Sequence, residues 1–301
     1  MHTPFLLSLF TILLGYFLKR IGILKAEHSG PLSKIVMNVT FPALILITFS
    51  SSRITKELFL LPWLPVLSAL LGLGAGLYLF RRLSSDTKGL MLMATMGLNI
   101  GLFAFPILQG LFGDLGVQVA AMVDLGNAFV IFGLSYMVGE RFSPVRENHK
   151  RGVWGTIKVF SRSVPLVCYI LALFINLMGL SLPSFTLSWL SILARANQFL
   201  VLLVLGLVLS FGWRTHLKSG LVPLLILRYS TALALGTLVW FFFPADQVVR
   251  KIIFMCLILP AGFAVVPYSL EFEYDRDSAG AIVNITLIIS FFLMWGLAIF
   301  L

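Results

Sequence analysis

Long apolar runs separated by short polar intervals dominate this chain, and the length of those runs is the first informative quantity. A helix needs roughly 20 apolar residues to cross the hydrocarbon of a bilayer. Ten runs of about that size are read, at residues 4–18, 31–50, 61–80, 89–112, 117–138, 164–180, 187–211, 221–243, 252–272 and 278–301. The pattern predicts an all-α polytopic membrane protein of ten transmembrane helices. Two runs carry their own breakers. "GLNIGLFAFP" in the fourth places Asn99 and two glycines before Pro106, and "LPAGFAVVP" in the ninth places Pro260 seven residues before Pro267. Glycine and proline weaken a helix for different reasons: one adds conformational freedom, the other removes an N–H.

The two broken runs are also related in register. Pro267 follows Pro106 by 161 residues, Asn197 follows Asn38 by 159, and Asn284 follows Asp124 by 160. "LPWLPVLSALLGLGAG" from Leu61 pairs with "LVPLLILRYSTALALG" from Leu221 at 160. These offsets predict two copies of one five-helix unit. Five is odd, so the second copy enters the membrane from the opposite side, giving an inverted repeat. The expected organisation is a first repeat at 1–140, a basic cytoplasmic linker at 141–160 and a second repeat at 161–301. In such a carrier, broken helices meet near the midplane, and their free N-terminal ends favour an anion. Candidate substrate-binding residues are Asn99, Ile100, Gly101 and Pro106 from the fourth run and Pro260, Ala261, Gly262 and Pro267 from the ninth. The repeat mates Asn38 and Asn197 join them.

Composition sharpens the class. Of 301 residues, 59% are hydrophobic and 11% charged, and the formal charge is +10; the mean hydropathy is +1.01. With the N-terminus outside, the cytoplasmic loops hold 16 cations and the outer loops four: Arg53, Lys56, Arg250 and Lys251. The positive-inside rule therefore puts both termini outside and the basic central loop in the cytoplasm, as expected of a plasma-membrane protein. The basic charge is an orientation signal, and no nucleic-acid partner is expected. Cys168 and Cys256 lie in apolar runs, without metal or disulfide spacing. The N-terminal run has no basic leader before it and no cleavage site, so it reads as a first span. No motif of a metalloprotease, serine hydrolase or phosphate-binding loop is present, which argues against a membrane enzyme.

Several polar residues lie within the runs. Asp124 is a candidate coupling site, because an intramembrane acid is costly to keep. Asn127, Asn284 and Thr286 would supply cation-ligating oxygens or bond between helices. Arg228 is a candidate charge partner for Asp124, although the spans place their backbones roughly 10 Å apart in depth; its alternatives are snorkelling and attraction of the anion. Arg195 reads as a snorkelling cation beside Asn197 and Gln198. "GLGAG" at 72–76 reads as helix packing.

These residues resemble the auxin efflux carrier family. "GYFLKRIGILKAEHSGPLSKIVMNVTFPALIL" is similar to its first two spans, "NIGLFAFPIL" to its fourth, "VDLGNAFVIF" to its fifth, and "LPAGFAVVPYSLEFEYDRDSAGAIVNITLIIS" to its ninth and tenth. The resemblance implies a scaffold of spans one, two, six and seven, and a mobile transport domain from the rest. It implies a crossing of spans four and nine at the substrate site. The substrates it implies are organic anions: auxin in plants, malate, malonate or similar carboxylates in bacteria. The chain resembles the short bacterial form, without a long cytoplasmic loop. A more distant likeness in plan to bile-acid:sodium symporters keeps both H+ and Na+ open as coupling ions. The expected function is a secondary carrier of a small organic anion that needs no cofactor, with a homodimer as candidate assembly. The alternatives are a sodium-coupled bile-acid-type symporter and a non-transporting receptor on a carrier fold.

Overall fold

The computed structural model describes residues 2–51, 56–144, 163–210 and 220–300. Of the predicted 141–160 linker, residues 145–160 lie outside them, as do the loop cations Arg53, Arg146, Lys150, Arg151, Lys158, Arg162, Arg214 and Lys218. The helices are α1 (His2–Arg20), α2 (Ser29–Ile35), α3 (Phe41–Ser51), α4 (Trp63–Leu79), α5 (Ser85–Met96), α6 (Phe105–Phe129), α7 (Tyr136–Phe142), α8 (Val164–Leu177), α9 (Ser184–Val208), α10 (Leu221–Phe242), α11 (Gln247–Leu257), α12 (Val265–Glu271) and α13 (Arg276–Phe300). π-helical turns at Val36–Thr40, Ile100–Ala104 and Val130–Ser135 join α2 to α3, lead into α6 and join α6 to α7. The described residues are all-helical apart from one isolated β-bridge.

Seven helical stretches among these residues are long and apolar enough to cross a membrane: His2–Arg20, Ala26–Ser50, Lys56–Leu79, Ile100–Phe142, Ser184–Val208, Leu221–Phe242 and Arg276–Phe300. Val164–Leu177 is apolar but shorter. The difference from ten predicted runs has a local cause. The ninth run is divided into α11 and α12, each too short by itself, and the fourth and fifth run together through α6. Within α6, Gly113 has φ 58° and ψ −140°, so the chain turns sharply there. Only glycine takes that conformation without strain. Large side chains lie exposed along the helices, among them Phe10, Trp63, Phe185, Ile226 and Phe242. An apolar surface of this extent is what lipid, not water, covers.

The chain forms two compact units. The first comprises Met1–Phe59, Ile100–Met122 and Phe160–Leu209. There α1 packs on α9, and α3 packs on α8 and α9. Phe41 stands edge-on to Phe105 and Tyr169 in its core. Glycine sets the approach of α1 and α9: a Cβ on Gly206 would lie 2.1 Å from the Ile12 carbonyl oxygen, and one on Gly15 would lie 2.4 Å from that of Leu203. Gly206→Val must push the helices apart. It is expected to cost roughly 1–3 kcal/mol as overpacking, seen as a lower thermal midpoint in detergent.

The second unit comprises Leu60–Asn99, Val123–Val159 and Ser210–Leu301. Its core joins Leu90–Ala94 of α5 to Tyr136, Tyr268, Phe272 and Ile282. Gly72 and Gly76 turn toward α5, where added Cβ atoms would lie 2.8 Å from Thr95 Cγ2 and 2.8 Å from Leu92 Cδ2. Cations in both units serve helix C-termini, where carbonyls lack intrahelical partners. Lys19 donates to the Leu207 and Leu209 carbonyls, and Arg250 donates to the Trp240 carbonyl. Lys251 is buried and donates to the Ala298 carbonyl at 3.0 Å. Arg250 and Lys251, expected as outer-loop charges, therefore stand inside α11 as caps for neighbouring helices.

Candidate functional site

The site is a crossing of two interrupted backbones within the second unit. α5 ends at Met96, and Gly97 leaves it in extended conformation (φ −74°, ψ 148°). α11 ends at Leu257, three residues before Pro260, which has no N–H and disfavours helix at the residue before it. Leu98 and Ala261 then form an antiparallel bridge. The Asn99 N–H donates to the Pro260 carbonyl at 3.0 Å, and the Gly262 N–H donates to the Gly97 carbonyl at 3.0 Å. Non-helical backbone at membrane depth has to satisfy its polar groups within the protein, and here each segment satisfies part of the other.

Side chains take up more of it. Asn127 reads the Leu98 peptide with both ends of its amide: Oδ1 accepts the Leu98 N–H at 2.9 Å, and Nδ2 donates to the Leu98 carbonyl at 2.9 Å. The same Nδ2 donates to Asp124 Oδ1 at 2.9 Å. On the other segment, Thr286 Oγ1 accepts the Ala261 N–H at 3.1 Å and donates to the Ile282 carbonyl.

Arg228 binds the crossing together. It is 4% exposed, on α10. Nη1 donates to the Ala94 carbonyl at 2.9 Å and to that of Thr95 at 3.2 Å. Nη2 donates to Gly97 at 3.0 Å, Leu259 at 2.8 Å and Pro260 at 2.8 Å. The carbonyls of Gly97 and Pro260 are the same two that accept the cross-backbone N–H groups. One guanidinium thus meets the C-terminal ends of both half-helices, where two partial negative charges of about half a unit each face one full positive charge. Its planar fork of donors suits this task in a way an ammonium does not. Beside it, Arg228 lines a small cleft with Ser68, Thr95, Thr231 and Leu257.

Asn99 is 4% exposed, and its Nδ2 has no hydrogen-bond partner among the described residues. A buried amide donor left open is uncommon and calls for a specific reason. Ile100 and Gly101 begin the π turn beyond it, Ile100 fully buried and Gly101 half-buried. Pro106 cannot donate to the Leu102 carbonyl, which accounts for the irregular turn before α6; its own carbonyl accepts from Gln198 Nε2 at 3.2 Å. Pro260, Ala261 and Gly262 are buried in the crossing, whereas Pro267 is exposed on α12.

The remaining candidates have other surroundings. In the first unit, Asn197 is fully buried, and its Oδ1 accepts from Thr40 Oγ1 at 2.9 Å. Asn38 is exposed and bonds back to the Lys34 carbonyl at 2.8 Å. Arg195 is exposed. In the second unit, Asn284 donates to Gly280 at 2.9 Å and accepts the Ser210 N–H at 3.3 Å. Asp124 is half-buried. Sequence reasoning missed that Arg228 serves backbone carbonyls, that Thr286 holds Ala261 and that Asn127 holds Leu98. The available signal was electrostatic: two interrupted helices bury two C-terminal ends, and these call for a cation on a neighbouring span.

A helical, lipid-compatible protein whose two interrupted helices cross around a buried charge has the build of a membrane transporter. The chain belongs to the membrane transport protein family, the auxin efflux carrier family, whose family model matches residues 3–154. It is similar to an uncharacterized transporter of Methanocaldococcus jannaschii, with 32% identity over 215 residues and 68% of each chain covered. It is also similar to an uncharacterized transporter of Methanothermobacter thermautotrophicus, with 30% identity over 236 residues, covering 75% of this chain and 74% of the relative. The protein is an integral membrane transporter.

Proposed function

We propose that the protein is a secondary carrier for a small organic anion, a carboxylate, working by alternating access. The observation that carries this reading is the open Asn99 amide at the crossing. Nδ2 is a donor, and a carboxylate oxygen is the acceptor that would complete it. Charge favours the same sign of ligand. Arg228 neutralises the C-terminal ends of the half-helices, so the positive ends of the interrupted helices are not offset by them.

The carrier spans the membrane ten times as two inverted five-helix repeats, with the N-terminus outside and the basic linker in the cytoplasm. The crossing supports the repeat: its bonds are arranged two-fold about the Leu98–Ala261 pair, Gly97 and Asn99 on one side and Pro260 and Gly262 on the other each contributing one carbonyl and one N–H. Spans one, two, six and seven form the scaffold, and the remaining spans form the moving domain.

The proton is the coupling ion this geometry favours over sodium. Each side-chain oxygen that would ligate sodium already accepts one N–H: Asn127 Oδ1 from Leu98, Thr286 Oγ1 from Ala261 and Asn284 Oδ1 from Ser210, which leaves fewer lone pairs for a cation. Asp124 is the acid at the crossing that a proton would occupy.

Counterflow in proteoliposomes tests the substrate class. Vesicles preloaded with unlabelled mono- or dicarboxylates should take up the matching labelled anion, and neutral or cationic solutes should not exchange. A neutral or cationic sole substrate would overturn the anion reading.

A further inference from the structure

We propose that Asn127 is the positioning residue that carries the protonation state of Asp124 to the crossing. The inference rests on the proton-coupled reading and gives it a route through the chain. Asn127 Nδ2 donates at 2.9 Å to Asp124 Oδ1 and at 2.9 Å to the Leu98 carbonyl, while its Oδ1 accepts the Leu98 N–H at 2.9 Å. One amide therefore touches the acid and both backbone polar groups of Leu98. Leu98 is followed directly by Asn99, whose N–H closes the bridge to Pro260. No more than one side chain stands between the carboxylate and the backbone that presents the open Asn99 amide.

The charge of Asp124 sets the strength of that hold. An ionised carboxylate accepts a charge-assisted hydrogen bond, roughly twice as strong as a neutral one. With Asp124 ionised, Asn127 is fixed in the orientation that pairs it with Leu98. With Asp124 protonated, the contact falls to neutral strength and the amide is freer to turn away. The peptide at Leu98 then loses its side-chain partner, and the crossing loosens around Asn99. By linkage, an anion that needs the ordered crossing and a proton on Asp124 oppose each other by the same factor. Anion release is therefore favoured on the side where Asp124 takes up its proton. The Cys256 thiol on α11 lies within electrostatic reach of Asp124, and the Nη groups of Arg228 donate to five backbone carbonyls.

The test needs no knowledge of the substrate. Hydrogen–deuterium exchange of the purified protein in lipid nanodiscs, followed on peptides covering residues 94–108 from pH 3 to pH 8, reads the order of the crossing across the ordinary carboxylate range. Rates are corrected for intrinsic exchange. Wild-type protection should fall at least threefold as the pH drops across this range. Asp124→Asn should show the low, acid-form protection at every pH. Asn127→Ser should show low protection without a pH step. Flat protection in the wild type, or an acid step that survives in either variant, would overturn the relay. Carboxylate counterflow separates this inference from the reading beneath it. An exchange step without any counterflow leaves the relay standing and removes the carrier, whereas counterflow without a step removes the relay and leaves the carrier.

Discussion

Arg228→Ala is expected to lower the stability of the protein by about 3–6 kcal/mol and to abolish transport with it. Two of the five carbonyls that Arg228 serves, Gly97 and Pro260, keep a cross-backbone N–H. Those of Ala94, Thr95 and Leu259 lose their guanidinium donor. A buried acceptor deprived of its partner costs about 1–3 kcal/mol, and the two half-helix ends lose their counter-charge as well. Arg228→Lys restores the charge but not the fork. Its three hydrogens radiate from one atom and do not reach five carbonyls on two chains at once. The lysine variant should therefore fall between wild type and alanine. Thermal unfolding in detergent, monitored by size exclusion, ranks the three proteins. An alanine variant that melts with the wild type would show that the crossing holds itself together by its backbone bonds alone.

Asn99→Ala should separate function from stability in the opposite way. The Asn99 Nδ2 has no partner to lose, and its burial without one is itself a cost. The backbone N–H that bridges to Pro260 belongs to residue 99 whatever its side chain. The variant is expected to unfold within about 1 kcal/mol of the wild type, on either side, since only a small unsatisfied group is removed. Carboxylate counterflow should nevertheless drop about tenfold or more, which corresponds to about 1.4 kcal/mol or more of lost anion binding. Wild-type counterflow in Asn99→Ala would move the anion site away from the open amide.

Sequence reasoning reached as far as local chemistry reaches. The interruptions at residues 97–99 and 258–262 were legible because glycine and proline act on their own backbone. The helices follow the apolar runs closely, as α10 at Leu221–Phe242 does, because lipid requires such runs to close their own hydrogen bonds. The packing role of Gly72 and Gly76 was readable from small residues one turn apart.

What was hidden is what the backbone does for side chains. Arg228 and Asp124 suggested a pair because both are charged letters in apolar text. The guanidinium instead serves carbonyls up to 134 residues away, and a carbonyl has no letter of its own. The same holds for Lys251, counted as a loop charge and found buried on the Ala298 carbonyl. The partner of Asn197 was equally invisible, since Thr40 lies 157 residues earlier. The length criterion for spans fails where a helix is cut in two, and the crossing is the place where that happens.

Concentrative uptake by proteoliposomes tests the carrier claim most directly. The vesicles would be loaded at one pH and diluted into another without a sodium gradient, with the labelled carboxylate that exchanges best in counterflow outside. One pH unit is worth about 1.4 kcal/mol per proton, or about tenfold accumulation of a monoanion exchanged for one proton with the membrane potential clamped. The predicted result is uptake that overshoots equilibrium by up to that factor under a proton gradient, decays as the gradient collapses and is absent in Asp124→Asn, while Asp124→Asn still exchanges anion for anion at a higher anion concentration. Well-folded protein that moves no carboxylate under any imposed gradient would contradict the account.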